Sequence, residues 1–444
     1  MMKASDSLPR VTKNQLRVTF ELGSDMLGAP IRYFDALGDT FATRVLGDEY
    51  VMTRDPVWIS EILVKNSSAF IKDKVTRGVS RLLGQGLLTN DAATWRPRRK
   101  AMQPHFQPAA LYDLIEPMRK ETEVVLRGWG EEATIDLHAA MVNVALRCAL
   151  RALFGIDPDI FAEVGKHTRA GMDYFAGLFG TMVPLPLWLP TGVNRRFLRA
   201  RRALRSTLGN LVDQARRRGA MSTPLDGLFS AEQAGLLSQE EMLDEAMTFL
   251  LAGHDPSALT LMYTLGALAS HPLEQTKVHR ELEQTVGPIT MEQCAAPSAL
   301  RRALNESLRL YPASWAIGRE PREEVAIGQY VLAPGTQIVV HQWAAHRHPA
   351  WFSQAHLFQP DRWLGDLAAS LPKGLYVPWG TGPRVCIGNH FSALQMMVSL
   401  RTILSQYRLV AVDPFPPPLT ASITALPRRP VLVRVLRLRS LGRR

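Results

Sequence analysis

Pro378-Trp379-Gly380-Thr381-Gly382-Pro383-Arg384-Val385-Cys386-Ile387-Gly388 leads directly into an apolar stretch of helical character, Phe391-Ser-Ala-Leu-Gln-Met-Met-Val-Ser-Leu400. Gly380 and Gly382 precede Cys386 and Gly388 follows it, so the backbone is free to turn tightly and to lie close against a flat group. A helix that starts just after a cysteine turns free N–H groups and the positive end of its dipole toward the sulfur, which favours a thiolate. Arg384 adds a cation suited to a carboxylate. The combination reads as a thiolate presented to an iron porphyrin, with Arg384 for one propionate. Taken alone, the same stretch also suits a buried free cysteine in a glycine-rich loop. The rest of the chain decides between them.

With 444 residues, 46% of them hydrophobic and 21% charged, the chain has the make-up of a globular protein with a sizeable core. Cys148, Cys294 and Cys386 are too few and too scattered for a disulfide framework, which suits a reducing compartment. The N-terminal residues hold neither a bilayer-length apolar run nor the basic-then-apolar order of a secretory signal, so a cytoplasmic protein without a membrane span is expected. The net charge of +11 raises nucleic acid as a partner. The arginines, however, are spread through helical patterns without interleaved aromatics, and a surface that docks an acidic protein explains them as well.

Helical periodicity dominates from about residue 105 to 310, with stops at Gly155-Ile-Asp-Pro158 and Gly219. One long helix is expected over 239–270, interrupted by Pro256. Strand patterns fall at 43–52, 325–331, 335–340 and 429–438. The expected class is mainly α with a small β-rich portion. Residues 1–24 read as an N-terminal extension, partly disordered, and 25–444 as one domain, with no repeat or linker to divide it.

Four more signatures stand in order before the cysteine loop. Trp95-Arg-Pro-Arg-Arg99 places an indole and a guanidinium one turn apart, suited to an anionic group. Ala252-Gly253-His254-Asp255-Pro256-Ser257 lies inside the long helix. Glu306-Ser-Leu-Arg309 pairs a carboxylate with a guanidinium on one helix face, and Phe358-Gln-Pro-Asp-Arg362-Trp363 offers a second arginine for Glu306. Each is weak by itself: Glu116-Pro-Met-Arg119 also fits Glu-x-x-Arg, and Trp343…Arg347 fits Trp-x-x-x-Arg. Their order along the chain carries the weight, and in that order the chain resembles the cytochrome P450 family over essentially its whole length.

The resemblance implies haem b with Cys386 as the axial thiolate ligand of the iron. It implies Trp95, Arg99, Arg319 and Arg384 at the propionates, and Trp379, Gly380, Gly382, Gly388 and Ala252 against the porphyrin. Glu306, Arg309 and Arg362 match the buried triad that braces the haem-binding core. The implied activity is insertion of one atom of dioxygen into an apolar small molecule of terpenoid, fatty-acyl, steroid or polyketide type. Phe175, Phe179, Leu250, Leu251, Trp315, Ile317 and Ile423 match pocket positions. The Val183–Pro190 run is either an access lip or a loop packed on the core. No electron-transfer module is evident in the sequence, so a separate ferredoxin or flavodoxin with its reductase is expected, docking at Arg96, Arg98 and Lys100.

Two departures from the family pattern stand out. Trp379 occupies a position usually held by Phe; its ring either packs under the porphyrin or donates its N–H to the thiolate sulfur. Pro256 occupies the position of the usual threonine. The acid, Asp255, is kept, but the hydroxyl and a backbone N–H are lost, so the helix is expected to kink or widen after Ala252. Ser257, an ordered water or the substrate's own hydroxyl then supplies the proton relay at Asp255, Pro256 and Ser257. The alternative is a peroxide-driven or non-oxygenating enzyme, an isomerase or dehydratase.

Overall fold

The computed structural model describes residues 2–3, 8–91, 93–155, 161–181, 186–219, 223–285, 287–365 and 367–438. Its axis is the helix Gln239–Ser270, which starts at a capping box: Ser238 accepts from the Glu241 N–H and the Glu241 carboxylate takes the Ser238 N–H. Almost every side chain from Ala246 to Leu251 and from Ser257 to Ala269 is buried, so the helix is wrapped by neighbours on all sides. The helix Leu137–Phe154 packs along it, closely because Gly253 has no side chain: a Cβ there would lie 2.9 Å from the Leu153 methyl. Leu137–Phe154 is also long and apolar enough to cross a bilayer, but much of its surface is buried in this core. It ends where expected, with Gly155 left-handed at φ 65°.

The helix that follows the cysteine loop, Asn389–Leu404, is buried from Leu394 onward and packs on the helix Ile115–Leu126. Polar atoms inside this contact are paired, with Thr122 and Ser399 hydroxyls 3.1 Å apart.

The β portion is a five-stranded sheet in the order Thr40–Val45, Asp48–Thr53, Gln337–Val340, Ile317–Pro321, Phe70–Ile71. Pairing is antiparallel except between Asp48–Thr53 and Gln337–Val340. Ile71 faces Glu320 across the last pair, so Lys72, one residue further, comes beside Arg319. A separate hairpin, Leu419–Ala421 with Ala425–Pro427, carries Ser422, Ile423 and Thr424 at its tip.

Two expectations are corrected. Residues 8–24 are not a loose extension: Leu8 is buried, the Val11 N–H donates to the Ala42 carbonyl and the Ala42 N–H to the Pro9 carbonyl, and the helix Gln15–Ser24 buries Val18 and Leu22. The short apolar spacing of that helix hid it. The central helix is also neither interrupted nor widened at Pro256: it runs through that residue as one α-helix, with no change of helix type. Proline removes one donor there, but the burial on either side holds the flanking turns in place.

Candidate active site

Cys386 is the one accessible cysteine of the three; Cys148 and Cys294 are buried. Its N–H donates to the Trp379 carbonyl at 2.9 Å, which closes the loop into a fixed turn. Burial pushes the thiol upward, while the Gly388 N–H and the Arg99 guanidinium favour its thiolate form. The sulfur therefore lies within the fold, open to a ligand on one side and flanked by two groups that favour a thiolate.

The glycines act for reasons more varied than expected. Gly380 and Gly382 have φ of 71° and 74°, where only glycine is free of strain. At Gly382 a side chain would collide with the Leu63 carbonyl, so the close approach there is to the protein's own backbone. Gly388 has an ordinary φ of −90°, and a Cβ there would meet only the Phe106 ring, at 4.0 Å.

The structure separates the roles of the expected anion-binding residues. Arg99 donates to the Val385 carbonyl at 2.7 Å and so grips the loop beside Cys386. Arg384 lies over the Trp95 ring at 3.8 Å and is held by the Asn90 carbonyl at 2.7 Å and the Asp91 carboxylate at 2.9 Å. Burial lowers it to about 10, partly offset by Asp91. Arg319 is buried and donates only to the neighbouring Gly318 carbonyl, with no ion pair among the described residues.

Lys72 joins this group, although no motif marked it. It is buried without an ion-pair partner among the described residues, and burial followed by repulsion from Arg319 and Arg384 drives its ammonium well below the ordinary lysine range. Asp73, the other nearby carboxylate, accepts the Val75 and Thr76 amides. The buried Lys72 and Arg319 and the half-buried Arg384 thus face one directly paired carboxylate, Asp91. Such an excess is costly unless further anionic groups enter. The two propionates of haem meet that requirement, and Cys386 supplies the thiolate, so these residues fit the cofactor.

Trp379 departs from one of its two readings. Its indole N–H donates to Ser392 Oγ at 3.0 Å, so it is not available to the Cys386 sulfur. The ring packs against the main core cluster. Trp379→Phe is therefore expected to leave the haem reduction potential within about 30 mV of wild type, below the roughly 60 mV or more that a lost hydrogen bond to a charged sulfur gives in a one-electron couple. A spectroelectrochemical titration checks this, and a clearly lower potential would restore the discarded reading.

Ala252 is exposed, and Gly253, Asp255 and Pro256 are partly so, in the middle of a helix otherwise closed off. The Asp255 carboxylate accepts a hydrogen bond at 3.0 Å from Thr424 on the hairpin tip. The hydroxyl that reaches Asp255 thus comes from Thr424 and not from Ser257, which is buried.

Trp315, Ile317 and Ile423 are partly accessible, as pocket residues must be. Phe175 and Leu250 are fully buried, Phe175 among Tyr174 and Phe197; Leu251 is nearly so. The side chain of Phe179 lies outside the described residues, as do 182–185 of the proline-rich run. In the rest of that run Trp188 is 81% exposed, while its neighbour Leu187 packs against the main core cluster. Arg98 is buried on Glu241 and the Leu236 and Gln85 carbonyls, so of the expected docking cations only Arg96 and Lys100 face outward.

The Glu306 triad is complete. Arg309 and Glu306, both fully buried, pair through two contacts of 2.9 and 2.8 Å, and Arg362 adds a third at 2.9 Å. The Trp363 N–H and the Gln359 amide also donate to the carboxylate. Arg309 continues to the carbonyls of His346, Ala355 and Leu357, tying three loop positions to one side chain. The competing Glu116–Arg119 pair sits on the surface.

Comparisons with known proteins agree with this arrangement. The family model described as Cytochrome P450 matches residues 14–435. The chain is 30% identical to cyclooctat-9-en-7-ol 5-monooxygenase of Streptomyces melanosporofaciens, over 86% of this chain and 85% of that protein. It is 29% identical to pentalenene oxygenase of Streptomyces avermitilis over 88% of each. The crystal structure of the cytochrome P450DA heme domain superposes with a TM-score of 0.87 at 20% identity, covering 98% of both chains. The match over nearly the whole length, together with the thiolate loop and the cation cluster, establishes that the chain belongs to the cytochrome P450 family as a haem b monooxygenase.

Proposed function

We propose that this monooxygenase hydroxylates a terpenoid skeleton, with Asp255 as the residue that hands protons to the oxygen-binding face. The observation that carries the substrate class is the similarity, over most of both chains, to two bacterial enzymes named for terpenoid substrates. The accessible apolar set of Trp315, Ile317 and Ile423 suits such a skeleton, which is recognised by shape with few polar contacts.

Bound haem supplies the activation of dioxygen. The chain's own residues do the rest. Cys386 would ligate the iron, and Arg99 holds the Val385 carbonyl so that the loop does not swing away. Lys72, Arg319 and Arg384 would take the propionates, with Trp95 stacked beneath Arg384 to fix its plane. Ala252 leaves the central helix low enough for substrate to approach. Asp255 takes a proton from water at one carboxylate oxygen and releases it toward the cavity, ending as it began. Arg96 and Lys100 offer positive charge to an acidic ferredoxin or flavodoxin.

The test is a panel of cyclic terpene hydrocarbons and alcohols added to the haem-loaded protein. Ligands are scored by displacement of iron-bound water and then by product analysis with reductant, ferredoxin and reductase. Oxygenated terpenoid formed only with reductant supports the reading. Turnover with peroxide alone, or isomerised product without added oxygen, would replace it with the peroxide-driven or non-oxygenating alternative.

A further inference from the structure

We propose that Thr424 is the positioning residue for Asp255, its hydroxyl brought in by the 419–427 hairpin to replace the one that Pro256 lacks. The inference rests on the reading of Asp255 as the proton-handling group.

The geometry is specific. Thr424 is 4% exposed, and its Oγ1 donates to Asp255 Oδ2 at 3.0 Å across 169 residues of chain. The tip that carries it is locked on both sides. The Ser422 N–H donates to the Thr424 carbonyl at 2.9 Å, and the Ala425 N–H to the Ala313 carbonyl at 3.0 Å. The Trp315 indole donates to the Ser422 carbonyl at 2.8 Å, and the Tyr263 hydroxyl to the Ala425 carbonyl at 2.7 Å. Tyr263 and Asp255 belong to the same helix, so the hairpin grips that helix at two points eight positions apart. A tip anchored this way does not swing, and Thr424 keeps one rotamer.

The chemistry follows from which atom is taken. With Oδ2 held by Thr424, the carboxylate cannot rotate freely, and Oδ1 is presented as the oxygen that accepts and returns a proton. A hydroxyl on the helix itself would act from the adjacent residue. Proline removes that option, and a tertiary contact restores an acid–alcohol pair. Ile423, a partly accessible pocket residue, stands next to Thr424 on the same tip. The same tip thus carries a candidate pocket residue beside the residue that orients the acid.

The test uses haem-loaded full-length protein and the variants Thr424→Val, Thr424→Ser, Asp255→Asn and the Thr424→Val/Asp255→Asn double. The first readout needs no turnover. The carboxylate stretch of Asp255, isolated in the infrared as wild type minus Asp255→Asn, is expected to shift in Thr424→Val and to return in Thr424→Ser. The second is reductant oxidation in air, supported by a plant-type ferredoxin and its reductase with pentalenene added. Thr424→Val is expected to slow it about tenfold, the scale of one lost hydrogen bond to a charged acceptor, with Thr424→Ser near wild type. The double variant is expected to match Asp255→Asn alone, because Thr424 acts only through Asp255. An unshifted carboxylate band, or multiplicative effects in the double, overturns the positioning role. If Asp255→Asn slows oxidation and Thr424→Val does not, this inference fails while the Asp255 relay stands. Wild-type rates in Asp255→Asn remove the relay and this inference together.

Discussion

Cys386→Ala is expected to abolish thiolate ligation: the reduced carbon monoxide complex loses its thiolate-type absorption band, and product formation falls more than about a hundredfold. That bound is the upper end of what an outer-shell partner alone contributes at a metal site, and the ligand itself contributes more. A variant that retains the band would remove Cys386 from the iron. The same residue predicts a pH dependence for assembly. Burial raises the thiol of the haem-free protein, against the pull of the Gly388 N–H and Arg99. Metal ligation takes the deprotonated sulfur, so haem uptake releases a proton and tightens as pH rises toward the thiol's folded value. Titrating apo-protein with haemin at several pH values checks the sign. Affinity that falls over this range would contradict it.

Glu306→Gln is expected to lower folding stability by about 3–5 kcal/mol, because the shape is kept while the fully buried Arg309 loses its counter-charge. The effect spreads beyond the pair. Arg309 fixes the carbonyls of His346, Ala355 and Leu357, and Glu306 also holds Trp363 and the Gln359 amide, so the stretch before the cysteine loop loosens as a unit. The denaturant midpoint of the apo-protein and the haem content after purification both report it. A midpoint shift worth less than about 1 kcal/mol would assign the triad the modest weight of a surface ion pair. The wild-type protein has a matching acid limit. Burial pushes the Glu306 carboxyl up, but Arg309, the Gln359 amide and Arg362 outweigh it and hold it below the usual range. Its folded value is thus below its unfolded one. The stabilisation is fully present above the ordinary glutamate range and is lost as pH falls through the lowered folded value.

The family, the candidate thiolate loop and the triad were legible because their residues are bound by short spacing. Glu306 and Arg309 meet on one helix face at any helix of this register, and the glycines of the cysteine loop are demanded by local φ values at Gly380 and Gly382. What failed to show itself had no local signature. Lys72 is a single lysine after a two-residue strand; only the pairing of Ile71 with Glu320 brings it to Arg319. Arg98 reads like its outward neighbours Arg96 and Lys100, yet the turn of its helix points it into the core at Glu241. Trp379 was open to two readings, a packed ring or a donor to the sulfur, and the fold gives its N–H to Ser392, 13 residues on.

The same division runs through the active face. From sequence alone the protein has a candidate thiolate at position 386, an acid at position 255 and no hydroxyl at 256, all consequences of residue type at fixed offset. Where the missing hydroxyl would come from is not encoded within any window around that helix. It depends on a hairpin 169 residues away that is pinned by Trp315, Ala313 and Tyr263 until Thr424 meets Asp255. Covalent spacing determines which groups the chain owns; only the packed tertiary structure, which brings distant segments within 3 Å, decides which of them act together.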